Sequence, residues 1–280
     1  MKTLYVSDLD GTLLNTQARI SPRSLEILNR LAAEGMPFTY ATARSLSSAS
    51  VVTRGLSAGI PVIVYNGAYI MEPATGKILA SEGFSPEERA YVRRKLEEHR
   101  ISPVVYAFVD GEERVSWDMS RVNEGKQRYF DNRKGDRRLR PLDTGDGLYV
   151  GETFYYTCIG EKEELEPLYA VFADDRRYHC TFQQELYRPE YWLEIMPAKA
   201  TKYHAILKLK KLWKCDRVVS FGDSINDLPM FRISDECYAV GNAVEELKQE
   251  ATGVIGDNDS DSVARWLEEN YGRLNVSTEK

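Results

Sequence analysis

The sequence has few cysteine and histidine residues, and their spacing argues against two common kinds of site. Its cysteines are far apart and include no Cys-x-x-Cys pair: Cys158, Cys180, Cys215 and Cys237. Its histidines have no spacing typical of a shared metal ion: His99, His179 and His204. We therefore expect reduced, mostly buried thiols rather than a disulfide framework or a zinc site.

The sequence also lacks long apolar runs and an excess of basic charge. No run of roughly 18 or more apolar residues occurs, and the chain opens with a strand-like segment instead of a charged and then apolar leader. With 37 basic and 43 acidic residues the net charge is -6, which disfavours binding to a nucleic acid polymer or an anionic membrane. We expect a cytoplasmic protein with a small-molecule partner. The sequence does not predict its oligomeric state.

The chain is long enough for a core with an inserted module, since 280 residues exceed a typical domain of roughly 100 to 200. Strand-like and helix-like segments alternate over residues 3–65 and again after residue 195. This alternation predicts an α/β fold with a doubly wound, Rossmann-like parallel sheet. The hairpin-like strands and amphipathic helices in between predict an α+β insert. We place the core at residues 1–82 and 191–280 and the insert at residues 83–190.

The individual elements are predicted from apolar periodicity and turn residues. Ser21 and Pro22 start a first helix that ends at Gly35. Further core elements are predicted as strands over 3–7, 38–41, 61–65, 217–221, 238–240 and 254–255, and as helices over 45–56, 201–213 and 262–271. Hairpin-like strands are predicted over 68–71 and 77–80. The insert is predicted to hold helices over 87–100 and 161–173 and strands over 104–110, 113–117, 154–159 and 178–182. No element is predicted within residues 121–147, which are polar with glycine near both ends.

Polar residues follow the ends of the predicted core strands. Asp8 and Asp10 flank Leu9 after the first strand, so strand alternation would point both carboxylates into one pocket. Two carboxylates that close together favour a divalent metal ion with oxygen ligands. The carboxyl ends of strands line the ligand crevice of an α/β sheet, and we expect these residues to meet there: Asp8, Asp10, Thr42, Asn66, Asp223 and Asn242. By itself, an Asp-x-Asp pair is more typical of a turn with helix-capping acids.

Four motifs in order resemble those of one enzyme superfamily. They are Asp8-Leu9-Asp10-Gly11-Thr12, Ala41-Thr42-Ala43-Arg44, a lysine near residue 200, and Gly222-Asp223-Ser224-Ile225-Asn226-Asp227. Together they resemble the haloacid dehalogenase superfamily of phosphotransferases, specifically its Cof-type sugar-phosphatase branch, in which an α/β cap is inserted between core strands. The resemblance covers essentially the whole chain and implies an enzyme of phosphoryl transfer.

The resemblance implies a role for each matching residue. Asp8 would attack phosphorus and form an aspartyl-phosphate, while Asp10 would act as general acid and base. The implied cofactor is Mg²⁺, held by Asp8, Asp223 and the main-chain carbonyl of Asp10. Phosphate would be bound by Thr42, Ala43, Lys202 and Asn226, with Asp227 orienting the lysine or metal-bound waters. A substrate rim is implied at Arg44, Asn66, Gly67, Lys199 and Asn242.

Two lysines compete for the role in the third motif, because Lys199 and Lys202 lie three residues apart and can share a helical face. The family pattern selects Lys202, since a Glu-Ile-x-Pro run precedes the lysine helix in that branch and Glu194-Ile195-Met196-Pro197 stands here. Three residues replace glycines that are usual in the branch: Ala43, Lys199 and Tyr203. These departures concern the geometry of loops around the substrate.

Two further patterns have both a structural and a functional interpretation. Asp257-x-Asp259-x-Asp261 with Glu268 resembles a calcium loop, but Ser262 stands where that loop needs glycine, which favours a loop capping the last helix. Residues 121–140 carry eight basic and three acidic side chains, a net charge of +5. This segment is either a solvated face of the insert or a patch that attracts anionic substrates.

We predict a Mg²⁺-dependent phosphatase that hydrolyses small phosphomonoesters, such as sugar phosphates or related metabolites, through an aspartyl-phosphate. A phosphomutase on the same core is the alternative enzyme. A regulatory protein that binds metal or phosphate without turnover is the alternative outside enzymes, although the intact Asp10 favours catalysis. The sequence does not identify the physiological substrate.

Overall fold

The computed structural model describes residues 1–57, 61–184 and 188–275, and the chain forms two compact units. The first unit comprises Met1–Ser81 and Ala200–Lys280, and the second comprises Glu82–Lys199. The later boundary thus lies at residues 199/200, beyond the predicted 190/191. The reason is that the strand Tyr191–Pro197 pairs with two strands of the second unit.

The strands, in chain order, are β1 (Thr3–Ser7), β2 (Phe38–Tyr40), β3 (Val62–Val64), β4 (Tyr69–Met71), β5 (Ile78–Ser81), β6 (Val104–Val109), β7 (Glu112–Asp118), β8 (Leu139–Leu142), β9 (Glu152–Gly160), β10 (Tyr178–Gln184), β11 (Tyr191–Pro197), β12 (Arg217–Gly222), β13 (Glu236–Ala239) and β14 (Gly253–Val254). The helices are α1 (Pro22–Ala33), α2 (Leu46–Val52), α3 (Pro86–Glu98), α4 (Glu124–Asp131), α5 (Lys162–Phe172), α6 (Lys202–Leu212), α7 (Leu228–Phe231), α8 (Glu245–Glu250) and α9 (Ser262–Asn275). Short helical turns lie at Leu9–Leu13, Tyr65–Gly67, Met119–Arg121, Ile225–Asp227 and Asn258–Ser260.

The first unit is built on a parallel sheet with the strand order β14-β13-β12-β1-β2. Its strand β1 is buried along its whole length between β12 and β2. Helix α1 begins as predicted, because the hydroxyl of Ser21 accepts a hydrogen bond from the N–H of Ser24 and Pro22 is the first helical residue. The predicted fold class, an α/β core with a parallel sheet and a separate α+β unit, is confirmed.

The third predicted core strand leaves the parallel sheet. Strand β3 pairs antiparallel with β4, which pairs with β5, in a separate three-stranded sheet. One parallel bridge, between Ala41 and Ile63, links β3 to the residue that follows β2. The alternation predicted over residues 3–65 therefore ends with a strand that is joined to the parallel sheet by this bridge and whose main pairing is antiparallel, because the turn Tyr65–Gly67 leads β3 directly into a hairpin.

The second unit is a six-stranded sheet with helices on both faces. Its strand order is β10-β11-β9-β6-β7-β8, and its pairs are antiparallel except for β7 with β8. One face packs against α3 and α5 in a core that includes Val92, Tyr156 and Leu165. The opposite face packs against α4 in a core that includes Tyr129 and Ile159. Because side chains alternate along a strand, Tyr156 and Ile159 of β9 belong to different cores.

Two elements, α4 and β8, lie within residues 121–147, where none was predicted. Helix α4 begins after Asn123, whose side chain accepts a hydrogen bond from the N–H of Lys126. The aromatic residues that α4 buries, Tyr129 and Phe130, are adjacent and therefore show no helical repeat in the sequence. The ring of Phe130 stacks on Trp117 with a centroid distance of 3.7 Å. Tertiary packing therefore stabilises this helix more than local sequence does.

The basic segment, residues 121–140, is partly neutralised by acids of the second unit. Arg128 forms an ion pair of 2.8 Å with Glu190. Arg138 forms ion pairs of 2.6 Å with both Glu113 and Asp136. These contacts favour the interpretation of the segment as a structural face of the unit.

In the acidic segment that resembles a calcium loop, two carboxylates accept hydrogen bonds from other residues of the protein. Asp259 accepts hydrogen bonds from the N–H and the hydroxyl of Thr16, at 2.8 and 3.1 Å. Asp261 accepts hydrogen bonds from the hydroxyls of Ser21 and Ser24. These carboxylates fasten the loop before α9 to the start of α1, which agrees with the structural interpretation.

The described residues show the state of the cysteines and the character of the helices. The cysteines are free thiols, three of them buried and Cys180 half-buried. Burial raises the pKa of Cys158 and of Cys180 to about 12, so both thiols stay protonated at neutral pH. Among the residues that the structure describes, no helix has the length and apolar character needed to cross a lipid bilayer.

Candidate active site

Asp8 stands where the buried strand β1 ends, at the carboxyl edge of the parallel sheet. Its N–H donates to the carbonyl of Phe221 on β12 at 2.9 Å, and its side chain is buried. Oδ1 of Asp8 accepts a hydrogen bond of 2.5 Å from the ammonium of Lys202. The sheet and this bond together hold one carboxylate against one cation.

Lys202 is the first residue of α6, and contacts at the start of this helix hold it in place. Thr201 caps the helix, since its hydroxyl accepts a hydrogen bond from the N–H of His204 at 3.3 Å. The ammonium of Lys202 also donates to Oδ1 of Asp227 at 2.7 Å. The lysine is therefore a buried bridge between two carboxylates, those of Asp8 and Asp227.

Asp227 connects this lysine to the turn after β12. Its Oδ2 accepts hydrogen bonds from the N–H groups of Asp223 and Ser224, at 3.0 and 3.2 Å. Oδ1 of Asp223 accepts a hydrogen bond of 3.0 Å from the hydroxyl of Thr12. Glycine is required at Gly11, because a Cβ built there would lie 2.4 Å from Oδ2 of Asp223. The first and fourth motifs are therefore joined by the hydrogen bond from Thr12 to Asp223 and by the close approach of Gly11 to Asp223.

The cluster holds more negative than positive charge, since the ammonium of Lys202 pairs with the carboxylates of Asp8 and Asp227 and a third carboxylate, that of Asp223, lies beside these two. Burial, reinforced by the charges of Asp227 and Asp223, raises the pKa of Asp8 to about 7 although Lys202 opposes the shift. Burial also raises the pKa of Asp223, and the charge of Asp227 adds to that shift. Burial disfavours the charged lysine, but Asp8 and Asp227 outweigh this effect and raise the pKa of Lys202. The lysine therefore stays an ammonium.

This excess of negative charge fits a divalent cation. One oxygen from each of Asp8, Asp223 and Asp227 lies within 4.8 Å of the others. Both oxygens of Asp227 already accept hydrogen bonds, from Lys202 and from two main-chain N–H groups. In the described part of the chain, Oδ2 of Asp8 and Oδ2 of Asp223 accept no hydrogen bond, which makes them the better ligands. Anionic oxygen ligands of this kind suit Mg²⁺.

Asp10 has a different setting from Asp8. Strand β1 ends at Ser7, and the turn that follows is irregular, with an extended backbone at Asp10 (φ −72°, ψ 124°) and a left-handed one at Gly11 (φ +75°). The side chain of Asp10 is half exposed, and the guanidinium of Arg44 binds both of its oxygens, at 2.8 and 2.6 Å. Asp8 is therefore buried beside a lysine, whereas Asp10 is half exposed beside an arginine. The hydrogen bond and the charge of Asp10, together with the charge of Asp8, raise the pKa of Arg44, so both carboxylates lie near this guanidinium.

Thr42 follows the end of β2 and is buried. Its hydroxyl accepts a hydrogen bond from the main-chain N–H two residues further on, at 3.1 Å, and its carbonyl accepts one from Asn66 at 2.8 Å. Ala43, the next residue, is exposed. Gly67 packs on the start of α6, where an added Cβ would lie 2.1 Å from the carbonyl oxygen of Thr201. The second motif, the turn after β3 and the start of α6 therefore meet.

The remaining predicted site residues lie at the edge of this arrangement or outside it. Asn226 is exposed in the turn after β12. Asn242 is also exposed, and its amide donates to the carbonyl of Gly11 at 2.8 Å. Lys199 is exposed and belongs to the second unit. Tyr203, which replaces a glycine usual in the family, is half-buried on the first turn of α6.

Sequence reasoning did not single out two features of this site. The first is Thr12, which binds Asp223; its place in the first motif was the available signal. The second is the bidentate pair of Asp10 and Arg44. These two residues are 34 positions apart, so no local pattern indicates that they meet.

The sequence is similar to a known family and to known proteins. A family model described as haloacid dehalogenase-like hydrolase matches residues 5–267. The chain is 25% identical over 291 residues to 5-amino-6-(5-phospho-D-ribitylamino)uracil phosphatase YwtE of Bacillus subtilis, a match that covers 96% of this chain and 98% of that protein. It is 24% identical over 277 residues to pyridoxal phosphate phosphatase YbhA of Escherichia coli, covering 93% and 95% of the two chains.

Solved structures share the fold over the same extent. A protein of Thermotoga maritima superposes with a TM-score of 0.76 at 25% identity and covers 100% of this chain and 99% of its own. A haloacid dehalogenase-like hydrolase from Bacteroides thetaiotaomicron superposes with a TM-score of 0.74 at 23% identity and covers 96% and 99%. The similarity therefore spans both units of the chain.

Proposed function

The chain belongs to the haloacid dehalogenase-like hydrolases and is a phosphatase, and from this premise we propose that it hydrolyses small phosphomonoesters with Mg²⁺ through an aspartyl-phosphate on Asp8. The family and the enzyme class predicted from the four motifs are confirmed. The observation that carries the proposal is the buried bridge from Asp8 through Lys202 to Asp227, beside Asp223. This bridge brings a nucleophile, a cation and candidate metal ligands to one edge of the sheet.

In the proposed first step, a carboxylate oxygen of Asp8 attacks phosphorus, and the bond between phosphorus and the alcohol oxygen breaks. Asp10 donates the proton that the departing alcohol needs. Lys202 and Thr42 stabilise the negative charge on the phosphoryl oxygens. In the second step water attacks phosphorus and gives a proton to Asp10, phosphate leaves, and the carboxylate of Asp8 is regenerated.

Asp8 and Asp223 would hold the Mg²⁺ ion, with the main-chain carbonyl of Asp10 as the third ligand expected from the family resemblance. When bound, the ion supplies positive charge that offsets the charge of the phosphoryl oxygens and of the clustered carboxylates. We assign Asp227 to the orientation of Lys202 and of the turn after β12, because both of its oxygens are engaged there. This assignment agrees with the role that the sequence predicted for it.

The proposed substrate class draws on the relatives. By their names, YwtE and YbhA act on a phosphoribitylamino compound and on pyridoxal phosphate, and both substrates are phosphomonoesters of small molecules. We propose a substrate of this class for the chain, with no nucleic acid polymer as partner. The cytoplasmic location that the sequence predicts stays a prediction.

Phosphate release from a panel of metabolite phosphomonoesters tests the proposal. The full-length protein would be assayed with Mg²⁺ and with EDTA, and the Asp8→Asn variant would serve as the blank. We expect release that EDTA abolishes, that added Mg²⁺ restores, and that the variant lacks. Isomerised sugar phosphate without free phosphate would indicate a phosphomutase, and metal binding without turnover would indicate a regulatory protein. Either result would contradict the proposal.

A further inference from the structure

A cavity of about 190 Å³ lies at the edge of the parallel sheet, lined by β2 and by the first residue of β3. Strand β2 is the terminal strand of that sheet, and one bridge between Ala41 and Ile63 joins it to β3, which turns away into the hairpin. Residues of α1 and α2 complete the lining. The described residues that line the cavity include none of those proposed to bind metal or phosphate, so it is separate from the candidate active site.

The inner part of the cavity is largely apolar. Its buried hydrophobic residues come from α1, β2 and β3: Leu28, Phe38, Tyr40 and Val62. Two buried threonines also line it, but their hydroxyls are engaged within the chain. Thr39 donates to the carbonyl of Pro61 at 2.7 Å, and Thr53 donates to the carbonyl of Ala49 at 3.0 Å. An occupant of this part therefore gains most from apolar contact.

The mouth of the cavity is polar and positively charged. Ser50, Arg54 and Ser57 line it and are exposed to solvent. Arg54 is the one cation among the described lining residues, and within the described ranges it forms no ion pair. A guanidinium stays charged at neutral pH and can donate two parallel hydrogen bonds to one carboxylate. The mouth therefore suits an anionic group attached to an apolar body.

The turn that carries the mouth is fastened to α1. The side chain of Asn29 donates from its amide to the carbonyl of Gly55 at 2.8 Å and accepts from the N–H of Ser57 at 2.7 Å. These two bonds hold the residues that follow Arg54 without help from a ligand. A site that is already formed loses less conformational entropy when a ligand binds.

The volume limits the size of the occupant. An engineered cavity of about 150 Å³ in another protein binds benzene, so a cavity of about 190 Å³ holds one aromatic ring with a short substituent. A carboxylate carries one negative charge, which the single guanidinium of Arg54 matches. A phosphate monoester carries close to two, for which the described lining offers no second cation.

We propose that this cavity is a second binding site, for a small aromatic carboxylate. The ring lies in the apolar part, against Leu28, Phe38 and Val62, and the carboxylate pairs with Arg54 at the mouth. The ligand is not a substrate, because it carries no phosphoryl group. The proposal is independent of the proposed phosphatase function.

Titration with phenylacetate and with phenylacetamide, which has nearly the same shape and no charge, tests the site. The full-length protein, labelled with ¹⁵N and kept in EDTA, would be followed by two-dimensional NMR, with Kd taken from the shifts of the N–H signals of Gly55 and Ser57. Arg54→Gln removes the charge at the mouth. The matched control is Arg23→Gln, because Arg23 is an exposed arginine of α1 that does not line the cavity.

We expect wild type and Arg23→Gln to bind phenylacetate with a Kd of about 1 mM or lower, and phenylacetamide about tenfold or more weakly. Arg54→Gln should bind phenylacetate about tenfold more weakly than wild type, while its Kd for phenylacetamide changes by less than about threefold. Wild type without saturable shifts up to about 10 mM phenylacetate would overturn the proposal. Equal affinity for the acid and the amide, or binding of phenylacetate that Arg54→Gln does not weaken, would also overturn it. Because no metal or substrate is present, none of these results depends on whether the protein releases phosphate.

Discussion

The ammonium of Lys202 lies 2.5 Å from Oδ1 of Asp8, and both side chains are almost completely buried. The same ammonium reaches Asp227, whose side chain is fully buried. Removal of one charge from such a group leaves the others desolvated and without compensation. Lys202 should therefore be needed for the stability of the fold as well as for binding of phosphate.

Comparison of Lys202 with Lys199 distinguishes the role of the buried ammonium in stability from a general effect of removing one positive charge. Lys202→Ala should lower the free energy of unfolding by about 3–5 kcal/mol, because two buried carboxylates lose their cation. Lys199→Ala should change it by less than about 0.5 kcal/mol, since Lys199 is exposed. Urea denaturation of both variants in EDTA at neutral pH measures the difference. Equal stability of the two variants would contradict the structural role of the buried lysine.

A second prediction concerns pH and metal together. Burial raises the pKa of Asp8 to about 7, whereas an unfolded aspartate titrates near about 4. Between these pH values the folded protein binds more protons than the unfolded chain, so this group makes the metal-free protein less stable as pH rises from about 4 to about 7. Mg²⁺ binds the ionised carboxylate and opposes this loss. The stabilisation by Mg²⁺ should therefore grow as pH rises through about 7.

Thermal unfolding in Mg²⁺ and in EDTA, recorded at several pH values from about 5 to 8, measures this effect. The difference in Tm between the two conditions should increase with pH. Asp8→Asn is the control. Because an asparagine does not titrate, the difference in Tm between Mg²⁺ and EDTA should vary much less with pH in this variant. If the difference in Tm between Mg²⁺ and EDTA stayed constant over this pH range in wild type, Mg²⁺ binding would not be coupled to the deprotonation of Asp8.

A third prediction compares two glycines with left-handed φ. Gly67 has φ +106° and an added Cβ would lie 2.1 Å from the carbonyl oxygen of Thr201, whereas Gly76 has φ +71° and open space around it. Gly76→Ala should cost about 1 kcal/mol through backbone strain alone. Gly67→Ala should cost about 2–4 kcal/mol, because the steric conflict adds to the strain. It should also lower activity, since the turn Tyr65–Gly67 packs on the helix start that carries Lys202. Equal costs in denaturation would indicate that the turn moves freely.

The parts of the fold that were predicted from sequence are those with local signals. Strand β1 and helix α1 are marked by an apolar run, by Ser21 with Pro22, and by the polar residues at their ends. The hairpin pairing of β3 was not predictable, because the apolar run Val62–Val64 suits either sheet and its partner is chosen by the following turn. Helix α4 was missed because its buried aromatic residues carry no periodicity and pack only in three dimensions.

The residues of the candidate site also divide into those with a local signal in the sequence and those without one. Asp8, Lys202 and Asp223 were predictable, because each follows a strand or begins a helix within a motif of the sequence. The pairing of Asp10 with Arg44 was not, since it joins side chains from separate segments. A buried acceptor without a donor, such as Oδ1 of Asn66, can be recognised only when all neighbouring atoms have been placed.

The last prediction concerns Asp10, whose half-exposed carboxylate binds Arg44. An ion pair this close to solvent contributes only about 0–1 kcal/mol, so Asp10→Asn should fold with nearly unchanged stability. As the proposed acid and base, Asp10 serves both steps, and Asp10→Asn should lower kcat for an alkyl phosphate by about 10²–10⁴-fold.

An ester with a weakly basic leaving group separates the two steps of this reaction. The phenolate that leaves p-nitrophenyl phosphate needs little protonation, so the attack of Asp8 should stay fast in Asp10→Asn while hydrolysis of the aspartyl-phosphate is slow. Stopped-flow absorbance should then show a burst of p-nitrophenol close to one equivalent per enzyme, followed by slow turnover. Asp8→Asn should show no burst. Steady-state activity of Asp10→Asn equal to wild type on alkyl phosphates would exclude Asp10 as the acid, because a residue that moves the proton in both steps cannot be replaced without loss of rate.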